Sequence, residues 1–294
     1  MLNKKKLDRL FAKYNINPAD NEYLTMLFAA AKAKSEIDTE VPEWTHEELE
    51  DALHGRKALF AARSVTIPQS EFVSVFKQIR DAVRETADIP EAWEGMPEPE
   101  ALFTEEMLAA LARDPNALWE LLEKAGVDLE RAQIQLVPAA AFAMRVFFED
   151  AAVDASGAME RLVPDTVHFS RSLNCPVCGM QATMAGVGAT QNHGNVKSLY
   201  CACCGSHWQF ERIRCAVCGT EAASDLEYVH LHEDEKHRLH VCKACGSSVP
   251  TVFGSELDDF DPDIETWRCG ELIVAYQDQQ EKKAAEEKEK GAKA

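Results

Sequence analysis

The sequence predicts an α plus small-β protein, in which a helical N-terminal domain precedes two tandem four-cysteine metal modules and a C-terminal helix. Three observations carry that prediction. Apolar residues in the first ~165 positions recur at helical spacing. All ten cysteines lie beyond Leu173. Eight of them form four Cys-x-x-Cys-Gly knuckles inside a run of about seventy residues. At 294 residues the chain exceeds one typical domain. The boundaries read as residues 1–170 for an acidic helical domain, 171–211 and 212–252 for the two metal modules, and 253–294 for a C-terminal helix and charged tail.

The helical elements follow in chain order. From about Pro68 to Thr86, Phe72, Val75, Phe76, Ile79 and Val83 share one stripe. Asp114 is a candidate N-cap with Pro115 at the first helical position; Leu118, Leu121, Leu122 and Ala125 follow at helical intervals, and Gly126 stops the run. Val137 to Ala152 is apolar nearly all round, as a buried central helix requires. Proline-bearing stretches near Val41-Pro42 and from Ile89-Pro90 through Pro97-Glu98-Pro99 read as connections. No catalytic constellation appears in this half, and the chain is not expected to be an enzyme.

From Asn174 the texture changes to glycines and short alternating runs. Leu199-Tyr200 and Trp208 to Ile213 suit short strands. Leu226 to Leu231 and Arg238 to Val241 suit a hairpin across Glu233-Asp234-Glu235. Asp261-Pro262 starts a helix containing Trp267 and Leu272 to Tyr276. The tail from Glu281 to Ala294 reads as disordered, with extension of that helix as the alternative.

Charge narrows the function classes. Met1 to Ser170 carries a net −13, Arg171 to Pro250 is neutral, and Thr251 to Ala294 carries −6, making −19 in all. Binding to a phosphate backbone depends on Lys and Arg displacing counterions, so nucleic acid is a poor partner. Val137 to Phe148, the longest mainly apolar stretch, is interrupted by Arg145 and falls short of the ~20 apolar residues that span a bilayer. The N-terminus lacks an apolar signal core, which places the expected location in the cytoplasm with no membrane partner.

The knuckles are Cys175-Pro176-Val177-Cys178-Gly179, Cys201-Ala202-Cys203-Cys204-Gly205, Cys215-Ala216-Val217-Cys218-Gly219 and Cys242-Lys243-Ala244-Cys245-Gly246. Intervals of 22 and 23 residues separate the members of each consecutive pair, and ten residues separate the pairs. That is a repeat of one ribbon unit and predicts two metal ions per chain, each held by consecutive knuckles. Two cysteines three apart in a tight turn aim their sulfurs at one point, and the following glycine supplies the positive φ by which the chain leaves. Four thiolates then surround a tetrahedral ion at ~2.3 Å. Structural disulfides fit poorly in a chain without a secretion signal, and a redox Cys-x-x-Cys belongs in a βαβ setting. Sulfur tetrahedra take zinc or iron. Cys203 reads as a spare thiol and Cys269 as a small apolar residue of the last helix. His230, His232, His237 and His240 read mostly as a solvated strand face. Trp208 and Phe210 read as inter-ribbon packing or a contact patch.

An acidic helical half followed by knuckles at these intervals resembles the formate dehydrogenase accessory protein family, FdhE. The residues carrying the resemblance run from the first knuckle through Leu199-Tyr200-Cys201, Cys204, His207-Trp208, Arg212-Ile213-Arg214-Cys215 and Cys218 to Cys242 and Cys245, roughly the last 40% of the chain. The resemblance implies rubredoxin-like modules that hold iron, with zinc possible on the sulfur set alone. It assigns Cys175, Cys178, Cys201 and Cys204 to one ion and Cys215, Cys218, Cys242 and Cys245 to the other. It also implies a cytoplasmic maturation chaperone that contacts the catalytic subunit of a formate dehydrogenase. Cys203, the histidine-rich hairpin and the charged tail depart from the family pattern. Two other classes stand beside this expectation: a rubredoxin-like electron carrier and a zinc-ribbon nucleic-acid adaptor.

Overall fold

The computed structural model describes residues 2–86, 93, 95–164, 170–189, 195–256 and 261–291. The chain divides into two compact units, one of residues 1–181 with 201–208 and one of residues 182–200 with 209–294. The predicted class is the observed one, helices with a small sheet.

The first unit holds α1 (Lys4–Tyr14), α2 (Glu22–Lys34), α3 (His46–Leu53), α4 (Leu59–Ala62), α5 (Gln69–Thr86), α6 (Pro99–Leu102), α7 (Glu105–Arg113), α8 (Leu118–Lys124), α9 (Leu129–Ala132) and α10 (Leu136–Leu162). Several of these starts are set by side chains that accept otherwise unpaired amides. Asn21 accepts from Leu24 and Thr104 from Met107. Thr45 and Glu48 form a reciprocal capping box on α3. Asp114 caps a single 3₁₀ turn, Pro115–Ala117, which leads into α8; Gly126 leaves at φ 76°. All five residues of the expected α5 stripe are buried. Pro99 occupies the first turn of α6, whereas the connection expected at Ile89-Pro90 lies outside the described residues.

The 27 residues of α10 form the axis of this unit. Phe147 meets Phe72, which packs edge-on against Phe103 at 4.9 Å, and Phe148 meets Phe60 at 5.0 Å. Arg145 and Glu149 are as buried as these rings, and one turn apart they pair at 3.1 Å. The Leu2 amide donates to both Glu149 oxygens, at 2.8 and 2.7 Å. Breaking such a buried pair costs about 3–5 kcal/mol, because one charge is left uncompensated. Among the described residues, no helix is long and apolar enough to cross a membrane.

The strands are β1 (Met184–Ala189), β2 (Val196–Tyr200), β3 (His207–Phe210), β4 (Leu226–Val229), β5 (His237–Cys242) and β6 (Ser248–Glu256), in the order β3-β2-β1-β6-β5-β4. β1 pairs antiparallel with β2, placing Gly186 opposite Ser198, and β4 with β5, placing Tyr228 opposite His240. Both hairpins are joined through β6, parallel to β1 and antiparallel to β5. The sequence pattern implies two separate ribbons; the structure gives their strands one sheet. β1 and β6 lie outside the predicted strands, since Gly186, Gly188, Pro250 and Gly254 carry weak strand signals.

One face of the sheet is covered by α11 (Pro262–Arg268) and α12 (Gly270–Gly291). Asp261 caps α11 by accepting from Asp263 and Ile264. Met184 and Val252 pack against Cys269, while Leu239 and Val241 pack against Leu272. The disordered tail expected from Glu281 is corrected: its Ala/Glu/Lys composition favours helix, and α12 continues to Gly291.

The solvated histidine face is corrected in part as well. His230 and His232 are exposed, but His237 and His240 are buried, because β5 is an interior strand whose His237 lies against Glu265 and whose His240 lies against Lys197 and Tyr228. His237 bridges Asp234 through Nδ1 and Glu265 of α11 through Nε2, both at 2.6 Å. Lys236 also reaches Glu265, at 2.8 Å. The Glu265 bond raises the His237 pKa above 6.5 against the opposing effect of burial, with Asp234 adding to it. Burial pushes Glu265 up, but His237 and Lys236 hold it below 4.5. The cluster therefore contributes fully between about pH 4.5 and 6.5 and loses its imidazolium as pH rises through the raised value. Thermal melts should show stability falling above pH 6.5 in the wild type, and His237→Gln should flatten that slope. An unchanged slope in the variant would show that another group carries it.

Candidate metal centres

Each knuckle is built by the same two backbone bonds. In the first, the Cys175 amide donates to Met180 O at 2.7 Å and the Gly179 amide to Cys175 O at 2.9 Å. The pattern repeats from Cys201 to Ser206 O, Cys215 to Thr220 O and Cys242 to Ser247 O, with Gly205, Gly219 and Gly246 closing the turns. All four glycines have positive φ, between 73° and 81°. The chain thus turns back within six residues, with both cysteine side chains on the inside of the turn.

Consecutive knuckles bring their sulfurs together as the spacing predicts. Cys175, Cys178, Cys201 and Cys204 form one cluster, and Cys215, Cys218, Cys242 and Cys245 form another; in each, all four Sγ atoms lie within 4.8 Å of one another. In the first, Cys175 and Cys204 are 3.6 Å apart and Cys178 and Cys201 3.4 Å. In the second, both cross pairs, Cys215–Cys245 and Cys218–Cys242, measure 3.8 Å. A tetrahedron of ~2.3 Å metal–sulfur bonds has edges of about 3.8 Å. Both sulfur sets therefore fit a tetrahedral ion, and each is able to hold one.

The electrostatics agree with that fit. At Cys175, burial favours the thiol, but hydrogen bonds from Cys178, Cys201 and Cys204 and from the Cys178 amide hold it well below its ordinary value. Burial and its thiol neighbours push Cys178 well up. At Cys215, burial acts upward while the Cys218 and Val217 amides and the Ser247 hydroxyl bring it down to about 6. One thiolate in contact with three other sulfurs makes ionisation of the rest costly, and only a cation allows all four to ionise together.

Two serines were missed by the sequence reading. Ser206 Oγ lies 3.0 Å from both Cys175 and Cys204, and Ser247 Oγ lies 2.9 Å from Cys245 and 3.7 Å from Cys215. Toward thiolates these hydroxyls donate. The signal was present as Cys-Gly-Ser, repeated in the second knuckle of each pair. Lys197 gave no such signal. It is fully buried in β2, with Nζ 3.1 Å from His240 Nδ1 and 3.4 Å from Arg214 O. Burial brings Lys197 down to about 8, and burial beside Lys197 brings His240 down to about 4, so the neutral ring accepts from the ammonium.

The remaining candidates fall outside the clusters. Cys203 is buried but is not among the converging sulfurs, and Cys269 lies in the apolar contact beneath α12. The contact-patch alternative for Trp208 and Phe210 is overturned, since both are buried. Trp208 Nε1 donates to Ser172 O at 3.1 Å. The Phe210 ring centroid has Lys197 Nζ at 5.4 Å and Arg214 Cζ at 5.1 Å, a pair of cation–π contacts.

Cys203→Ala and Cys269→Ala should retain full metal content by elemental analysis, whereas Cys178→Ser and Cys245→Ser should each lose about one equivalent. Loss of metal from Cys203→Ala would show that a different sulfur completes the first centre. The knuckle glycines allow a second comparison. A Cβ on Gly205 would stand 2.8 Å from Glu149 Oε1, while one on Gly246 would meet nothing within 4 Å. Gly246→Ala should cost about 1–2 kcal/mol for its left-handed backbone alone. Gly205→Ala should cost more in denaturant titration, and equal losses would rule out the contact with Glu149.

No protein-family model matches the chain. Two curated proteins do, each named an FdhE homolog. The one from Aquifex aeolicus is 27% identical over 78 residues, covering 26% of this chain and 28% of its own length. The one from Rhizobium meliloti is 24% identical over 102 residues, covering 34% and 32%. The matched segments thus span less than a third of either relative. The crystal structure of the FdhE protein from Pseudomonas aeruginosa aligns over 87% of this chain and 83% of its own, at 15% identity and a TM-score of 0.47. Over these partial lengths the chain is thus similar to two curated proteins, each named an FdhE homolog.

Proposed function

We propose that the chain is a cytoplasmic maturation factor without turnover of its own, which binds the catalytic subunit of a formate dehydrogenase and supports its assembly. The observation that supports this reading best is the pair of four-sulfur clusters in a relative of FdhE. Cys175, Cys178, Cys201 and Cys204 would hold one ion, and Cys215, Cys218, Cys242 and Cys245 the other. Iron follows from the resemblance; the sulfur sets themselves accept zinc equally well. Each ion would staple a segment too small to build its own core. The net charge of −19 argues against a nucleic-acid adaptor.

Electron transfer is the second reading, favoured by one observation: Cys218 and Cys245 are exposed, so the second centre is open to an electron donor or acceptor. It requires iron, because zinc has no redox chemistry. An absorption spectrum with metal analysis separates the two: two zinc ions per chain would end the electron-transfer reading.

The intact, tagged protein should capture a formate dehydrogenase catalytic subunit from cells expressing it, and should oxidise no formate alone. Among the described residues, Ile213 is the most exposed large apolar side chain, at 64%. Ile213→Asp should weaken that capture while both ions stay bound. No capture of any dehydrogenase subunit by the intact protein would overturn the proposed partner.

A further inference from the structure

We propose that the second centre is an exchange site, at which an external thiolate enters the coordination of the ion, while the first centre keeps its ion. This rests on the reading that both clusters bind metal.

The two clusters share their knuckle geometry and differ in what surrounds it. At the first, all four cysteines are at most 2% exposed. The tip of its first knuckle is tied down by two amides at the start of α4: Leu59 donates to Pro176 O at 3.0 Å and Phe60 to Val177 O at 2.9 Å. Its second knuckle packs Gly205 onto the buried Arg145–Glu149 pair. Ser206, 4% exposed, closes over Cys175 and Cys204. An incoming ligand would have to displace part of a helical core.

At the second cluster only Cys215 and Cys242 are buried, while Cys218 and Cys245 are exposed. These two come from different knuckles, so the open side is shared by both turns. The tip of the fourth knuckle, Lys243 through Gly246, is exposed throughout. No atom outside the turn lies near a Cβ built on Gly246. An external thiolate can therefore approach the ion without any part of the fold opening.

The exchange balances without a redox step. The entering thiolate forms one metal–sulfur bond as the bond to Cys245 or Cys218 breaks, and the displaced sulfur takes a proton from water. Ser247 Oγ, 2.9 Å from Cys245 Sγ, is placed to donate to that sulfur as it leaves. Further substitution releases the ion as a complex of the entering thiol. The first centre has a similarly placed serine but no route to the ion.

The test uses the full-length protein loaded with zinc and treated with glutathione, release being followed with the chromophoric chelator 4-(2-pyridylazo)resorcinol. Two phases of equal amplitude are expected, the first more than about tenfold faster, since the other needs local unfolding. The fast rate should rise in proportion to glutathione, and the slow rate should not. Iodoacetamide added after the fast phase should label Cys215, Cys218, Cys242 and Cys245 and spare Cys175, Cys178, Cys201 and Cys204. A single phase, a fast rate independent of glutathione, or first labelling of the Cys175 set would each overturn the exchange site. Binding of fewer than two zinc ions would instead overturn the two-centre reading beneath it.

Discussion

Four sulfurs held within 4.8 Å of one another can all be ionised only around a cation, and the local design of the C-terminal half follows from that constraint. The knuckle turns place the sulfurs on the inside, which requires a residue at positive φ to release the chain afterwards. Glycine meets that need four times. Amides of the turn and a serine hydroxyl then supply hydrogen bonds that favour thiolate, as at Cys215. Most of the folding free energy of such short segments would come from the ion, so a centre and its surrounding turns stand or fall together.

The first unit obeys a different rule. Its stability comes from aromatic and aliphatic burial along α10, which also carries a costly feature, the buried Arg145–Glu149 pair. The pair is tolerated because its acceptors are occupied: Glu149 receives Arg145 and the Leu2 amide, and Gly205 leaves room for both side chains. Here a knuckle glycine serves twice, once for its backbone and once for its missing side chain.

The legible parts of this protein are those whose signal is local. The α5 stripe, the Asp114-Pro115 start and the apolar α10 could be read because helix periodicity and caps are written within a few residues. The eight cysteines could be paired because their intervals repeat. What could not be read depended on neighbours distant in sequence. β1 and β6 contain glycine or proline and become strands by pairing with each other and with β2 and β5. His237 and His240 look solvent-facing by alternation, yet β5 lies inside a sheet that the pattern does not announce. Trp208 looks like a surface anchor until Ser172 is found accepting its indole hydrogen.

The strand joining the two hairpins stands in the second repeat where β3 stands in the first. β3 lies at an edge of the sheet, whereas β6 supplies the backbone partners of both β1 and β5. A polypeptide ending soon after the fourth knuckle would keep all eight knuckle cysteines and still present two unpaired strand edges, one on each hairpin. Bare edges of that kind recruit other chains. The residues just beyond the fourth knuckle therefore act as a guard against self-association, and a fragment cut by the cysteine motifs alone would be prone to aggregate.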